Sequence, residues 1–182
     1  MAGNTEKVIL GAGKWYLKAY TSGEVDLATL VADANLIGYT QGGATIEYTP
    51  ETYTVEDDIG MVRKTFMTKA AATMKTGLLT MGVASLVALM SMGDVTTSGS
   101  KTTLKLGGGR SALKKFAVAF QYTDPDDDST ITVGMIATNA GTLSLAFTKD
   151  KETVPESTFT AESNGVNDTI IVIEESAGEP KN

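Results

Sequence analysis

A run of alternating side chains constrains the fold of this sequence more than any other feature. Polar and apolar residues alternate between Ala44 and Glu56 on either side of Pro50, and Met61–Met67 is also strand-like in composition. A period of two residues is typical of a β-strand, because successive side chains point to opposite faces of a sheet. The segment Glu56-Asp-Asp-Ile-Gly60 lies between the runs, and its glycine permits the positive φ of a tight turn. The pattern predicts a long hairpin over residues 44–68.

Pro50 and the acidic turn each indicate how the hairpin lies relative to its neighbours. Pro50 has no N–H to give to a neighbouring strand, so the first limb is expected at an edge or a bend of the sheet. The acidic turn has two interpretations that the sequence leaves open. It is either a solvated tip or a protruding tip that docks on a basic patch of a neighbour.

An uncharged segment after the hairpin predicts the main helix. Apolar residues recur there at spacings of three and four, which is the period of a helix with one apolar face. We expect this helix over residues 78–92, ending before Gly93. The uncharged run Thr76–Gly93 approaches the length of a membrane span, but its glycines and hydroxyl side chains favour a buried or interfacial helix.

The remaining segments predict a single, mainly β domain over residues 1–182. Residues 7–20 are expected to form one or two strands, residues 21–35 a connector or brief helix, and residues 94–111 a flexible loop. Lys69–Thr76 is ambiguous between helix and strand. Further strands are expected within Phe116–Tyr122, Ile131–Ala137, Leu143–Phe147, Thr158–Thr160 and Thr169–Glu174. The last of these is apolar on both faces, which indicates a central or covered strand.

Composition argues against an enzyme. The chain contains no cysteine and no histidine, which removes thiolate zinc sites, cysteine nucleophiles and Ser-His-Asp triads. We therefore expect no catalysis and no cofactor. The net charge of −7 argues against tight binding of nucleic-acid phosphates, which requires clustered Lys and Arg.

One acidic turn invites comparison with a calcium-binding loop. Asp124, Asp126 and Asp128 match the first three ligands of such a loop. Ser129 and Met135 stand where the loop requires glycine and glutamate, so a strand-connecting turn is the favoured interpretation.

Three segments, taken in order, resemble a bacteriophage tail tube (major tail) protein. They are Gly11-Ala-Gly-Lys-Trp-Tyr-Leu17, Leu36-Ile-Gly-Tyr-Thr-Gln-Gly-Gly-Ala-Thr-Ile-Glu-Tyr48 and Tyr53-Thr-Val-Glu-Asp-Asp-Ile-Gly60. The order of a strand, a Gly-Gly strand, an acidic hairpin, a helix and C-terminal strands is also similar. The resemblance covers nearly the whole chain.

The resemblance implies a tail-tube-type β-sandwich or barrel with one flanking helix and a long protruding hairpin. Six subunits would form a ring, and stacked rings would form a hollow tube for DNA passage or a bacteriocin-like puncturing tube. The implied partners are further copies of the chain, the tape measure protein, the baseplate or tail tip, the tail terminator and, in contractile tails, a sheath. The implied location is the virion tail, assembled in the bacterial host cytoplasm, with no membrane partner.

The resemblance also suggests which side chains would contact other subunits or line the channel. Candidates for channel or inter-ring charge are Glu47, Glu51, Glu56, Asp57 and Asp58, with Arg63, Lys64 and Lys69 as complementary partners. Leu79, Val83, Leu86 and Val87 are expected to seat the helix on the sheet. The alternatives are a carbohydrate- or cell-binding β-sandwich adhesin, which would need an exposed aromatic cluster, and a hydrolase with two carboxyl groups converging in a cleft.

Overall fold

The computed structural model describes residues 11–79, 82–107, 113–139, 141–142, 144–150, 152–166 and 170–178. These residues contain nine strands: β1 Lys14–Ala19, β2 Leu36–Glu56, β3 Arg63–Leu78, β4 Asp94–Ser98, β5 Lys101–Lys105, β6 Phe116–Thr123, β7 Thr130–Thr138, β8 Glu156–Ala161 and β9 Val172–Ser176. They also contain the helices α1, Leu27–Leu30, and α2, Val83–Met90, and a 3₁₀ turn at Asp33–Asn35. Most of these residues lie in strands and few lie in helices, so the mainly β prediction is confirmed.

Antiparallel pairing closes most of the sheet into a barrel. The strand order is β6-β1-β2-β3-β8-β7-β9, and an additional pairing between β6 and β7 joins the ends of a six-stranded ring. Among the described residues, strand β9 pairs only with the first half of β7, where Thr130 lies opposite Ser176 and Gly134 opposite Val172. Closure removes the exposed edges that an open sheet would present.

The barrel interior is filled by side chains. Trp15, Met74, Val118, Met135 and Phe159 are fully buried there. The rings of Trp15 and Phe159 stack with 5.8 Å between their centroids. A barrel of this size is therefore a packed core and not a channel.

Strand β1 is buried on both faces from Trp15 to Leu17, whereas Lys18 and Ala19 are exposed. Trp15 points into the barrel, whereas Tyr16 packs outside it in a second cluster with Leu27 and Leu30 of α1. Asp26 caps the N-terminus of α1, because its carboxylate accepts a hydrogen bond from the Thr29 N–H at 3.3 Å. The brief-helix interpretation of residues 21–35 is confirmed.

Helix α2 is shorter than predicted and packs through different residues. It spans Val83–Met90, because Leu78 is the last residue of β3 and is buried in the barrel opposite Thr40. Leu86 lies in the core, as predicted. Leu79 lies outside the helix, and Leu79 and Val83 are 44% and 43% exposed, so neither seats α2 as expected. The predicted contact of Val87 lies outside the described residues, as do residues 80–81.

The far end of α2 is held by polar contacts that the apolar period did not reveal. Leu89 is fully buried, and its carbonyl accepts a hydrogen bond from the Asn139 side-chain amide. The Asn139 N–H donates to Ser91 Oγ at 2.7 Å. Both residues are buried, so these bonds satisfy polar groups that burial would otherwise leave unpaired.

The prediction of a flexible loop at residues 94–111 is wrong for the described part of that segment. Strands β4 and β5 form a hairpin there, with Asp94 opposite Lys105 and Ser98 opposite Lys101. Leu104 packs against the core, which fixes one face of this hairpin inward. Residues 108–111 lie outside the described residues.

The C-terminal strands match the prediction in part. Strands β6, β7 and β8 occur where expected, and Lys69–Thr76 is strand, which settles its ambiguity. No strand occurs at residues 144–147, and Phe147 is exposed; Leu143 lies outside the described residues. The prediction of a central or covered strand at Thr169–Glu174 is also wrong. Strand β9 begins at Val172, lies at the edge of the sheet and leaves Ile173 exposed. Thr169 lies outside the described residues.

Candidate assembly surface

The hairpin of β2 and β3 projects well beyond the barrel, and it is longer than the predicted residues 44–68. Every residue from 48 to 69 is exposed except Thr54 and Asp57, which are half-buried. We call residues 48–69 the arm. At a rise of about 3.3 Å per residue, its limbs extend roughly 25–30 Å from the barrel.

Both long edges of the arm are open in the described part of the chain. Strand β1 pairs with β2 only at Leu36, Gly38 and Tyr39, and β8 pairs with β3 only from Thr73 to Gly77. The backbone N–H and C=O groups along the outer sides of the arm therefore face solvent. Such edges are templates for pairing with another strand. Pro50 lies on one of these edges, as its missing N–H predicted.

One irregularity divides the arm into two halves. Glu51 lies opposite Lys69, but Thr52 lies opposite Met67, so Thr68 is the extra residue of a β-bulge. The Thr68 hydroxyl donates to the Glu51 carbonyl at 3.2 Å. Bulges increase the local twist of a strand pair and redirect its side chains.

The arm face that continues the barrel interior is apolar near the barrel and polar toward the tip. Tyr48 lies opposite Ala72 on this face, and its hydroxyl contacts the Met67 sulfur at 3.7 Å. Beyond the bulge, the Thr54 and Thr65 hydroxyls lie 2.9 Å apart. We call this face the barrel-side face.

The opposite face, here the outer face, has the reverse order. Near the barrel, Lys75 Nζ lies 3.4 Å from Glu47 Oε2. Toward the tip, Tyr53 lies opposite Phe66, and the Lys64 ammonium lies 5.1 Å from the centre of the Phe66 ring. Tyr53 is 61% exposed, so this aromatic pair is open to a partner.

The tip is more apolar than its sequence suggested. Ile59, Met61 and Val62 are 83%, 82% and 63% exposed. Asp57 is engaged in the turn itself, since its carboxylate accepts the Val62 N–H at 2.9 Å. Gly60 has the expected positive φ of 70°. The free acidic charge at the end of the turn is therefore that of Asp58, beside three apolar side chains.

The predicted charged residues are arranged mainly against each other within one hairpin. Glu51 lies opposite Lys69 and Glu56 opposite Arg63, whereas Glu47 pairs with Lys75, which was not a candidate. Their role between subunits stays a prediction. Tyr53, Phe66, Ile59 and Met61 were not among the predicted contact residues. Their signal was large apolar side chains in a hairpin that no other described element covers.

Physical chemistry makes an uncovered arm of this kind exceptional. A two-stranded ribbon with no covering layer is marginally stable in water. Contiguous exposed apolar groups on a soluble protein mark interaction surfaces. The arm combines open strand edges, an aromatic pair and an apolar tip, so it is the strongest candidate site on the described surface.

No group of three or more acidic side chains is placed to hold a metal ion in the described ranges. In the Asp124–Asp128 turn, the Asp124 carboxylate accepts the Asp126 N–H and the Asp127 carboxylate accepts the Ser129 N–H, both at 2.9 Å. None of the helices that the structure describes is long and apolar enough to cross a membrane.

Comparisons with known proteins add no family assignment. No protein-family model matches this sequence, and a search of curated proteins finds no match.

Proposed function

We propose that this chain is a structural subunit of a phage tail tube, in which hexameric rings stack into a hollow conduit for DNA or for a puncturing bacteriocin-like particle. The observation that carries the proposal is the arm, which exposes both faces, both edges and an apolar tip. An uncovered two-stranded ribbon is marginally stable in water, whereas a polymer covers it with the next copy.

The packed barrel supports a particular position for the channel. Because Trp15, Met74 and Phe159 fill the barrel interior, a conduit has to lie between subunits and not through one of them. The net charge of −7 suits a wall along which DNA slides without being bound, since duplex DNA binds surfaces rich in Lys and Arg. The tape measure, tail tip or baseplate, terminator and sheath partners follow from the resemblance alone.

The test compares the wild-type chain with a variant of the outer face. Tyr53→Ser with Phe66→Ser removes the exposed aromatic pair, and Tyr53→Phe with Phe66→Tyr is the matched control that keeps both rings. Negative-stain electron microscopy over a concentration series should show hollow tubes or stacked rings for the wild type and the control. The serine variant should form them only at higher concentration, or not at all. A wild-type chain that stays monomeric, even with a tail tip or baseplate extract, would contradict the proposal.

The same aromatic pair is the one observation that favours the adhesin alternative. Exposed aromatic rings offer flat apolar surfaces with a polar hydroxyl at the edge of Tyr53. An adhesin would bind glycans as a monomer or closed oligomer and would lose that binding in the serine variant. A glycan array probed with the monomer distinguishes the two functions.

A further inference from the structure

The arm tip and helix α2 lie at opposite ends of one continuous strand. Strand β3 begins at Arg63, beside the tip, and runs to Leu78, and four residues separate Leu78 from Val83, where α2 begins. Its 16 residues span about 50 Å at the usual rise of a strand. Each subunit therefore has a tip end and an α2 end, separated by the length of the arm and the barrel wall.

The α2 end exposes apolar side chains that the barrel does not cover. Leu79 directly follows β3, Val83 begins α2, and Leu106 follows β5, which contacts α2. All three are between 43% and 50% exposed. We call these three residues, together with Lys101, Lys105 and Lys114, the α2-end surface.

This end is also basic in a chain that is acidic as a whole. Between residues 94 and 115 the structure describes Lys101, Lys105, Lys114 and Lys115, the last paired with Glu162 at 3.5 Å, and Asp94 is the single acidic residue of that segment. Lys101 and Lys105 are exposed and alternate with the inward-facing Leu104, so they share the outward face of β5. Lys114 lies beside the end of α2, since its N–H donates to the Ser91 carbonyl at 2.8 Å.

The arm tip has the complementary composition. Ile59, Met61 and Val62 offer apolar surface, and the free carboxylate of Asp58 lies beside them. We propose that the arm tip of one copy docks on the α2-end surface of the next copy, with its apolar side chains against Leu79, Val83 and Leu106 and its acidic charge against the β5 lysines. This inference rests on the proposed function and names the receiving surface within it.

The geometry gives the contact a direction. The two surfaces are different patches at opposite ends of the subunit, so the contact is heterologous and leaves a free tip and a free α2 end on every assembly. Growth along the axis is therefore open and polar. Charge complementarity at the rim of the contact fixes the partner and speeds the encounter.

Two single charge reversals test the contact without disturbing other pairs. Asp58→Lys avoids Asp57, which holds the turn, and Glu56, which lies opposite Arg63. Lys101→Glu avoids Lys105, which lies opposite Asp94, and Lys114, which pairs with Asp94 at 3.5 Å. Each variant alone should raise the concentration needed for tube growth by about tenfold. Lys149→Glu, the same charge change on the exposed segment before β8, should leave it unchanged.

Mixing the two variants provides the decisive result. In an equimolar mixture, the reversed tip of one chain meets the reversed α2 end of the other, and the two unaltered surfaces also meet. Light scattering and electron microscopy should therefore show tubes that neither variant forms alone at that concentration. This rescue also shows that both variants are folded.

The outcomes separate this inference from the proposed function. If the wild type forms tubes and Lys101→Glu forms them equally well, the receiving surface lies elsewhere and the tube assignment stands. A mixture that shows no rescue has the same meaning. A wild-type chain that forms no tubes would overturn both. Val83→Ser should also raise the concentration needed for tube growth. Val166→Ser should not, because Val166 is more exposed than Val83 but lies outside the α2-end surface.

Discussion

Glu47 and Lys75 form an ion pair across the β2–β3 hairpin of a single chain, with 3.4 Å between Oε2 and Nζ. The Thr73 hydroxyl donates to the same carboxylate oxygen at 3.2 Å. Both charged side chains are about half exposed, so solvent screens the pair. Glu47→Gln should lower the free energy of unfolding in urea by less than about 1 kcal/mol and leave tube growth intact. Loss of tubes with an unchanged unfolding curve would instead put Glu47 in a contact between subunits.

Asp57 and Asp58 should behave differently despite being adjacent. The Asp57 carboxylate accepts the Val62 N–H, so Asp57→Ala removes a bond that orders the tip turn. We expect faster hydrogen exchange at the Val62 amide and a change in global stability of less than about 1 kcal/mol, because the arm unfolds locally. Asp58→Ala should leave exchange in the monomer unchanged. Equal exchange at Val62 in both variants would contradict the assigned role of Asp57.

The packing of α2 depends on Leu89 and not on the first residue of the helix. Leu89 is fully buried and Val83 is 43% exposed. Leu89→Ala should lower the free energy of unfolding by about 2–5 kcal/mol, since it removes core contacts and leaves a cavity. Val83→Ala should change it by less than about 0.5 kcal/mol. Denaturant unfolding of both variants measures the difference, and similar losses would contradict the observed orientation of α2.

Tyr16 should make the barrel sensitive to alkali. Burial raises the pKa of its phenol, and the charges of Asp33 and Tyr39 act in the same direction. The folded state disfavours the phenolate, so this contribution is complete below the ordinary tyrosine pKa of about 10 and is lost as pH rises through the raised value. Tyr16→Phe removes this sensitivity, together with the 3.3 Å hydrogen bond to Gln121.

Urea unfolding between about pH 8 and about pH 11 measures this effect. The wild-type free energy of unfolding should fall more steeply with pH than that of Tyr16→Phe. Parallel slopes would show that the Tyr16 phenol titrates alike in the folded and unfolded chain.

The hairpin was predictable because its alternation is local. Residues on either side of Pro50 alternate in character, and the structure pairs them over the whole predicted range. The bulge at Thr68 was not predictable, because it depends on the register between two strands. Its consequence, that Phe66 lies on the same face as Tyr53, was hidden for the same reason.

Other errors came from patterns that two structures share. Leu78 fits the three- and four-residue spacing of the apolar residues in α2, and it also fits the two-residue spacing of Met74 and Thr76 in β3. It belongs to the strand because that position buries its side chain in the closed barrel. Strands β4 and β5 carry threonines where apolar residues would have marked a strand. Ile173 suggested a covered strand, but it is exposed at the sheet edge, and a single chain's sequence does not distinguish cover within a chain from cover by another copy.

In the proposed function, the arm is a contact surface between copies of this chain. Hydrogen exchange of the backbone amides from Tyr48 to Lys69, measured in dilute monomer and in concentrated samples, tests it most directly. Open edges predict fast exchange in the monomer for amides that point away from the partner strand of the hairpin. We expect strong protection of these amides in the concentrated samples, together with tubes in the same samples. Unchanged fast exchange at every concentration, or assemblies that leave the arm unprotected, would contradict it.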